Sequence, residues 1–362
     1  MKKTITRSGM LIAATLLVGT AAHAQLDPST LIKGSADDAS KIVGAYMDPV
    51  FKAFGTGLNS GWYNTGKTHS IFRPDLTVSF NAVFIPDANK TFNVDELQLK
   101  NFYAQSGPGA TAPTAAGGTS STIYDIKVDD PTPGAPAGSK KNITTFKSPD
   151  GLNLPLVPVP TAQLGLGVGF GTDLIVRYMP TIKLGDFGDV GLWGFGIKHD
   201  IKQWIPVVSA LPFDWSVLFG YTKFSFNLAL SVPPDPNVPD NTGASFSGQQ
   251  LQMRTSGFNI GTIVSKKLSV ITGYLGLGYQ HSSSTVTMAG NYPITLPDPT
   301  VTNPNQQKIE AVTIPSVNIT GANSPYATLG LRLKLLIFTI HGDYTFSKFP
   351  VASGGIGLSL GN

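Results

Sequence analysis

From residue 76 onward the chain repeats one pattern, an apolar residue at every second position over runs of about ten, broken by turns rich in glycine and proline. Alternation of period two marks strands with one apolar face. The first run sets Leu76, Val78, Phe80, Ala82 and Phe84 against Thr77, Ser79, Asn81 and Val83. The second, QLGLGVGFG at 163–171, sets Leu164, Leu166, Val168 and Phe170 against Gly165, Gly167 and Gly169. A third opposes Leu174, Val176, Tyr178, Ile182 and Leu184 to Ile175, Arg177, Met179, Thr181 and Lys183. The fourth opposes Trp193, Phe195 and Ile197 to Gly194, Gly196 and Lys198, and the fifth opposes Phe213, Trp215, Val217, Phe219 and Tyr221 to Asp214, Ser216, Gly220 and Thr222. A sixth, 249–264, changes phase near Gly257, where a β-bulge would let Leu251, Met253, Phe258 and Ile260 share a face. Four more cover 268–281, 325–335, 337–346 and 353–361.

Residues 25–68 follow another period. Ser35 with Asp38 reads as a capping box, and Ile42, Val43, Tyr46, Met47, Val50, Phe51 and Phe54 then recur at helical spacing. Pro49 predicts a kink, or a break after Asp48. Ahead of this helix, Lys2, Lys3 and Arg7 precede the apolar run Met10–Val18, and Ala22-His23-Ala24 reads as a cleavage site, the pattern of a secretory signal peptide over 1–24. Without those three cations the 26 Lys+Arg fall to 23 against 22 Asp+Glu, a balance that implies no nucleic-acid partner.

Composition narrows the class. Charged residues are 13% of the chain, about half the usual share, while glycine occurs 40 times and cysteine not at all. After residue 24 no apolar run approaches the ~20 residues of a membrane helix. An exported, charge-poor, glycine-rich chain of alternating segments predicts an all-β fold, an antiparallel transmembrane β-barrel of about 10 strands. Twelve or fourteen stay open, because 122–128 and 142–146 look extended and could lengthen the wall or add hairpins. The predicted organisation is a signal peptide (1–24), a helical plug or hatch segment (25–68) and a barrel (69–362). Short connections at 171–173, 199–212, 265–267 and 335–337 fall on the periplasmic side. Long ones at 86–161, 231–248 and 282–324 fall outside the cell, the asymmetry of outer-membrane barrels. The architectural rival is a secreted, soluble β-sandwich, whose apolar faces would pack on each other.

The bare glycine faces give the helix a place. A ring of this size has a backbone diameter of roughly 20 Å, and a helix with its side chains needs about 10–12 Å. Glycines facing inward at Gly165, Gly167, Gly169, Gly194 and Gly196, with Gly220, Gly276 and Gly278, would free that volume for a plug. A helix resting on the periplasmic rim is the alternative. The other inward candidates are Arg177, Lys183, Lys198, Asp214, Arg332, Lys334, His341 and Asp343. They read either as a network tying wall to plug or as a site for an anionic headgroup.

Candidate chemistry is sparse. His199-Asp200 and His341-x-Asp343 are the pairs a lipid-modifying enzyme could use, yet no serine sits in a nucleophile elbow, and His69 and His281 lack metal-ligand spacing. No catalytic residue, metal site or cofactor is expected. Trp193, Trp204, Trp215 and Tyr221 lie near predicted strand ends, where amphipathic rings favour a membrane interface.

The motif Ala53-Phe54-Gly55-Thr56-Gly57-Leu58-Asn59-Ser60-Gly61-Trp62, the strand from Leu76, and WGFGIKHDIKQWIP followed by LPFDWSVLFGYT resemble an uncharacterised family of bacterial outer-membrane barrels over most of the chain. More distantly the chain is similar to the long-chain fatty-acid channel family, whose N-terminal hatch occupies the barrel. That likeness implies a plugged, porin-like transport protein in contact with outer-membrane lipid, binding or passing a small hydrophobic or amphipathic molecule. The alternative is a structural or surface barrel whose outer loops contact a partner. The sequence leaves the oligomeric state open.

Overall fold

The computed structural model describes residues 35–130, 136–185, 188–297 and 307–360. The predicted signal peptide lies outside them. The main sheet is an antiparallel ring of about ten strands: β1 (Pro74–Phe84), β2 (Leu156–Gly169), β3 (Thr172–Lys183), β4 (Gly188–Asp200), β5 (Asp214–Ala229), β6 (Gln250–Leu268), β7 (Ile271–Ala289), β8 (Ser324–Leu335), β9 (Phe338–Phe346) and β10 (Val351–Ser359). Each pairs with its sequence neighbour, and β10 returns to β1, with Leu76 opposite Leu358 and Val83 opposite Val351. Closure removes the free edges that would otherwise invite aggregation.

Alternate residues divide the two faces as the sequence pattern predicts. Leu76, Val78, Phe80, Leu164, Val176, Phe195, Ile260, Leu277, Leu329, Leu331, Ile340 and Ile356 are exposed on the outer face. Thr77, Ser79, Asn81, Arg177, Lys198, Thr222, Asn259, Arg332 and His341 are buried on the inner one.

Two phase readings are corrected. No bulge interrupts β6 near Gly257, since its pairings with β5 and β7 run without a register shift. Phe258 and Ile260 face outward, while Leu251 and Met253 turn inward and pack around Phe51 of the N-terminal helix. The break in apolar phase records a change of what covers the inner face. The bulge instead falls in β3, where the register shifts between Met179 and Ile182 and brackets Pro180, which has no N–H for the ladder. Ile182 therefore pairs with Val190, and Lys183 pairs with Asp189 and is exposed at the rim, outside the interior expected for it.

The turn expected at 265–267 is strand, and the chain reverses at Ser269-Val270. The connections 170–171, 201–213, 269–270 and 336–337 lie at one end of the ring. One of them carries a short helix, Pro206–Ser209. The long connections gather at the other end, where the extended pieces at 122–128 and 142–146 fall in strands Ile123–Asp129 and Lys140–Lys147. With Phe102–Ala104 these make a separate three-stranded sheet outside the ring.

Helix α1 (Ala36–Asn59) passes through Pro49 as one element, neither split nor ended there. The Ser35 hydroxyl accepts from the Asp38 N–H at 3.4 Å, but the Asp38 carboxylate does not complete a capping box. It accepts instead from the N–H groups of Lys100 and Asn101 at 2.7–3.1 Å, tying the helix start to the first long loop. Ile42 and Ala39 pack there with Val94, Phe102, Tyr124, Ile126 and Phe146. Replacing Phe102 with Ala should cost this loop unit about 3–4 kcal/mol, and limited proteolysis should then cut residues 35–48 and 91–147 while the ring resists.

Candidate functional site: the interior of the ring

The second half of α1 buries its apolar face against inner side chains from widely separated strands. Phe54 meets Phe224 of β5 edge to face at 4.8 Å, and Leu58 lies in one cluster with Val83, Val159, Leu192, Phe349 and Val351. The helix then ends at Ser60, with no basic residue in its last turn. The exposed carbonyls of a helix C-terminus carry partial negative charge. The wall supplies the missing cation: Arg177 of β3 donates from Nη1 to Leu58 O and from Nη2 to Ser60 O, both at 2.7 Å. Its Nε donates to Gln163 Oε1 at 3.1 Å, and its guanidinium carbon lies 3.7 Å from the centroid of the Trp62 ring. Arg177 is fully buried, so carbonyl oxygens and an aromatic face replace its water.

Trp62 itself is 1% exposed. A Cβ at Gly196 would lie 2.9 Å from its ring and one at Gly220 2.6 Å, so the glycine faces make room for this indole. Gly257 does the same for Asn59, Gly276 for Tyr63, and Gly167 for the backbone of His69 and Ser70. Gly169 is the last residue of β2, with φ +97° beside Ile71. Gly165 and Gly194 depart from the expectation: the nearest atoms to a Cβ at either belong to neighbouring wall strands. The space is cut for residues 59–70 more than for the helix.

Below Trp62 the chain is fastened mainly through its backbone. Lys198 Nζ donates to Lys67 O at 2.8 Å, Gly66 N–H donates to Ser265 Oγ at 2.9 Å, and the Ser216 hydroxyl donates to Gly66 O. Asp173 accepts from His69 N–H and contacts His69 Nδ1, both at 2.8 Å, and pairs with Lys198 at 3.0 Å. On the other side of the ring His69 Nε2 lies 3.5 Å from Asp75, which faces Arg332 at 3.6 Å and accepts from Thr77 at 2.7 Å.

Lys198 and Arg332 thus join one interior network through His69, with Asp173 and Asp75 as the counter-charges, while Arg177 is held by Leu58 O and Ser60 O. His341 contacts Ser79 Oγ at 3.3 Å, and Asp343 accepts from Tyr274 at 2.8 Å, so the His341-x-Asp343 spacing brings those two side chains to no mutual contact. Asp214 and Lys334 are half-buried near the short-turn end. His199 holds that end together, bonded to Thr172 Oγ1 and accepting from Trp204 Nε1, both at 2.9 Å. Trp193 and Trp204 are exposed, Trp193 packing on Tyr221, while Trp215 Nε1 donates to Thr262 at 2.7 Å.

Sequence reasoning missed Trp62, His69 and Asp173 as site residues. The one available signal was a bulky aromatic in a glycine-flanked segment just before the first strand. Two substitutions separate fastening from mere proximity. Arg177→Gln should lower stability by about 2–4 kcal/mol, because it orphans two carbonyls. Gly220→Ala should cost about 1–3 kcal/mol by displacing Trp62, against under about 0.5 for Gly165→Ala, whose Cβ would find open contact distance. Urea unfolding in lipid reports all three.

The model of a family described as of unknown function, DUF6588, matches residues 1–360. No curated protein sequence matches the chain. Among solved structures it is similar to Ail, the attachment invasion locus protein of Yersinia pestis, in complex with the heparin analogue sucrose octasulfate. That match has 7% identity over 80% of this chain and 99% of that one, with a TM-score of 0.26. The translocator domain of the autotransporter NalP from Neisseria meningitidis matches at 9% identity, 86% and 93% coverage and a TM-score of 0.28. A mutant of the monoaromatic hydrocarbon channel TodX matches at 12% identity, 86% and 76% coverage and a TM-score of 0.21. These matches do not single out the fatty-acid channel family for this chain, and at these TM-scores none bears on function.

Proposed function

Because this chain belongs to the DUF6588 family, whose function is unknown, we propose a function from its own geometry: a ten-stranded outer-membrane β-barrel channel, closed by residues 36–70 as a plug. The apolar outer face supports the location. A circumferential band of exposed Leu, Ile, Val and Phe far exceeds the patches that water-soluble surfaces carry, and lipid covers it without cost. On this reading the short-turn end faces the periplasm and the long loops face outward.

One observation carries the plug. The chain from Leu58 to Ser70 is held by polar side chains of β2 to β6 acting on backbone carbonyls and N–H groups, and by slots cut in the wall. Such fastening closes the bore and can be released without rebuilding the wall. Apolar packing around Phe54 and Leu58 seals the long-loop end, and the His69–Asp173–Lys198 cluster latches the short-turn end. A second reading, a surface barrel whose outer loops engage a partner, is favoured by the separate apolar core of the first long loop.

Deleting residues 36–70 should raise single-channel conductance in planar bilayers by roughly tenfold or more, as the lumen opens. The cysteine-free chain offers a control within one protein. Thr65→Cys with Ser265→Cys, whose hydroxyls lie 3.3 Å apart, should lock the plug when oxidised and release it when reduced. Unchanged conductance in both the deletion and the redox pair would end the gate model.

A further inference from the structure

The plug leans on one side of the ring. Its bonds from Leu58 to Ser70 go mainly to Gln163, Arg177, Asp173, Lys198, Ser216, Asn259 and Ser265 on β2 to β6, with one to β7, where His281 O accepts from Asn59 Nδ2 at 2.9 Å. Toward β8 to β10 its contacts are fewer: Leu58 clusters with Val351, and Tyr63 faces Tyr326 and Thr328. Between the plug and that opposite arc lies a cavity lined by Asn59, Gly61, Tyr63, Gln280, Tyr326 and Asp343, among others. About 10 Å³ of it is open to the centre of a water molecule.

Several buried polar atoms without a hydrogen-bond partner lie along the same arc, besides others such as Trp62 Nε1, Asn81 Oδ1 and Asn227 Oδ1 elsewhere. Asn59 Oδ1 and Gln280 Nε2 border the cavity; nearer the short-turn end come His341 Nδ1, Arg332 Nε, Thr339 Oγ1 and Ser359 Oγ. Arg332 is 3% exposed and Ser359 0%. Each such atom left dry costs about 1–3 kcal/mol, and a polar space of this size holds a water. A string of unpaired donors and acceptors along four adjacent strands therefore carries water. Its formal charges cancel, Arg332 and Lys334 against Asp75 and Asp343, so it neither concentrates one sign of ion nor offers an apolar surface.

We propose that β7 to β10 line a hydrated column beside the plug, and that the solutes of this barrel are small uncharged hydrogen-bonding molecules. This differs from the hydrophobic cargo that family resemblance implies. With the plug seated the column admits only molecules of about water's size, stopped toward the long loops by the apolar seal at Phe54, Leu58, Phe224 and Phe349. The solute assignment rests on the plugged-channel reading; the hydration does not.

The test uses the full-length chain, which has no cysteine. Single Ser359→Cys, Thr339→Cys and Gln280→Cys variants are compared with Ser216→Cys and Thr222→Cys, which lie under the plug, for oxidation by hydrogen peroxide, a neutral reagent of nearly water's size, in proteoliposomes. Column positions should react at least about tenfold faster, as solvated thiols do against packed ones. Equal or slower reaction overturns the column. In parallel, liposomes carrying the 36–70 deletion should swell in a neutral pentose and not retain it. Swelling with unreactive column cysteines leaves the channel standing and the column refuted. Reactive cysteines without swelling confirm the hydration and refute the solute assignment together with the channel reading.

Discussion

A sheet closed on itself has no edge to protect, but it has an interior in which every polar group must find a partner. That constraint organises this molecule. The inner faces carry arginine, lysine, aspartate, asparagine and glutamine, and the N-terminal segment answers many of them with main-chain groups: Leu58 O and Ser60 O for Arg177, Lys67 O for Lys198, and Asn59 O for Asn259. A backbone segment suits this role because it offers a donor and an acceptor at nearly every residue. The segment and the wall are consequently one hydrogen-bonded unit.

The interior is also layered. Toward the long loops, Phe54 and Leu58 sit in an aliphatic and aromatic collar. At mid-height Trp62 lies between Arg177 and the bare backbone of Gly196 and Gly220. Toward the short turns, ion pairs and His69 replace apolar contact. An apolar collar excludes water and a charged base demands polar partners, so the segment has one register in which all three layers are met. Its first half, meanwhile, shares a core with the outer loop sheet through Ile42, so movement of that loop is coupled to the end of the helix.

Much of the wall was legible. Period-two alternation located every strand of the ring within a few residues at most boundaries, because a strand with one buried and one apolar outer face writes its geometry into the chain. The misreadings share a cause. Leu251 and Met253 looked out of phase only because α1 gives part of the inner face an apolar neighbour. Lys183 was counted inward because a bulge at Pro180 changes register without changing composition. Gly165 and Gly194 were assigned to the plug on parity, yet parity states which way a residue points and not what stands opposite.

The amino-acid order thus settled which residues form strands, which face each takes, and that an amphipathic helix precedes them, since these depend on neighbours two to four positions apart. Which wall side chains meet which plug atoms depended on ring closure, which brings residues such as Arg177 and Leu58 together across 119 positions of chain. The tertiary structure alone decided that an arginine needs no carboxylate and that His69 stands between two aspartates. Those outcomes turn on distances across an enclosed space, for which local periodicity carries no record.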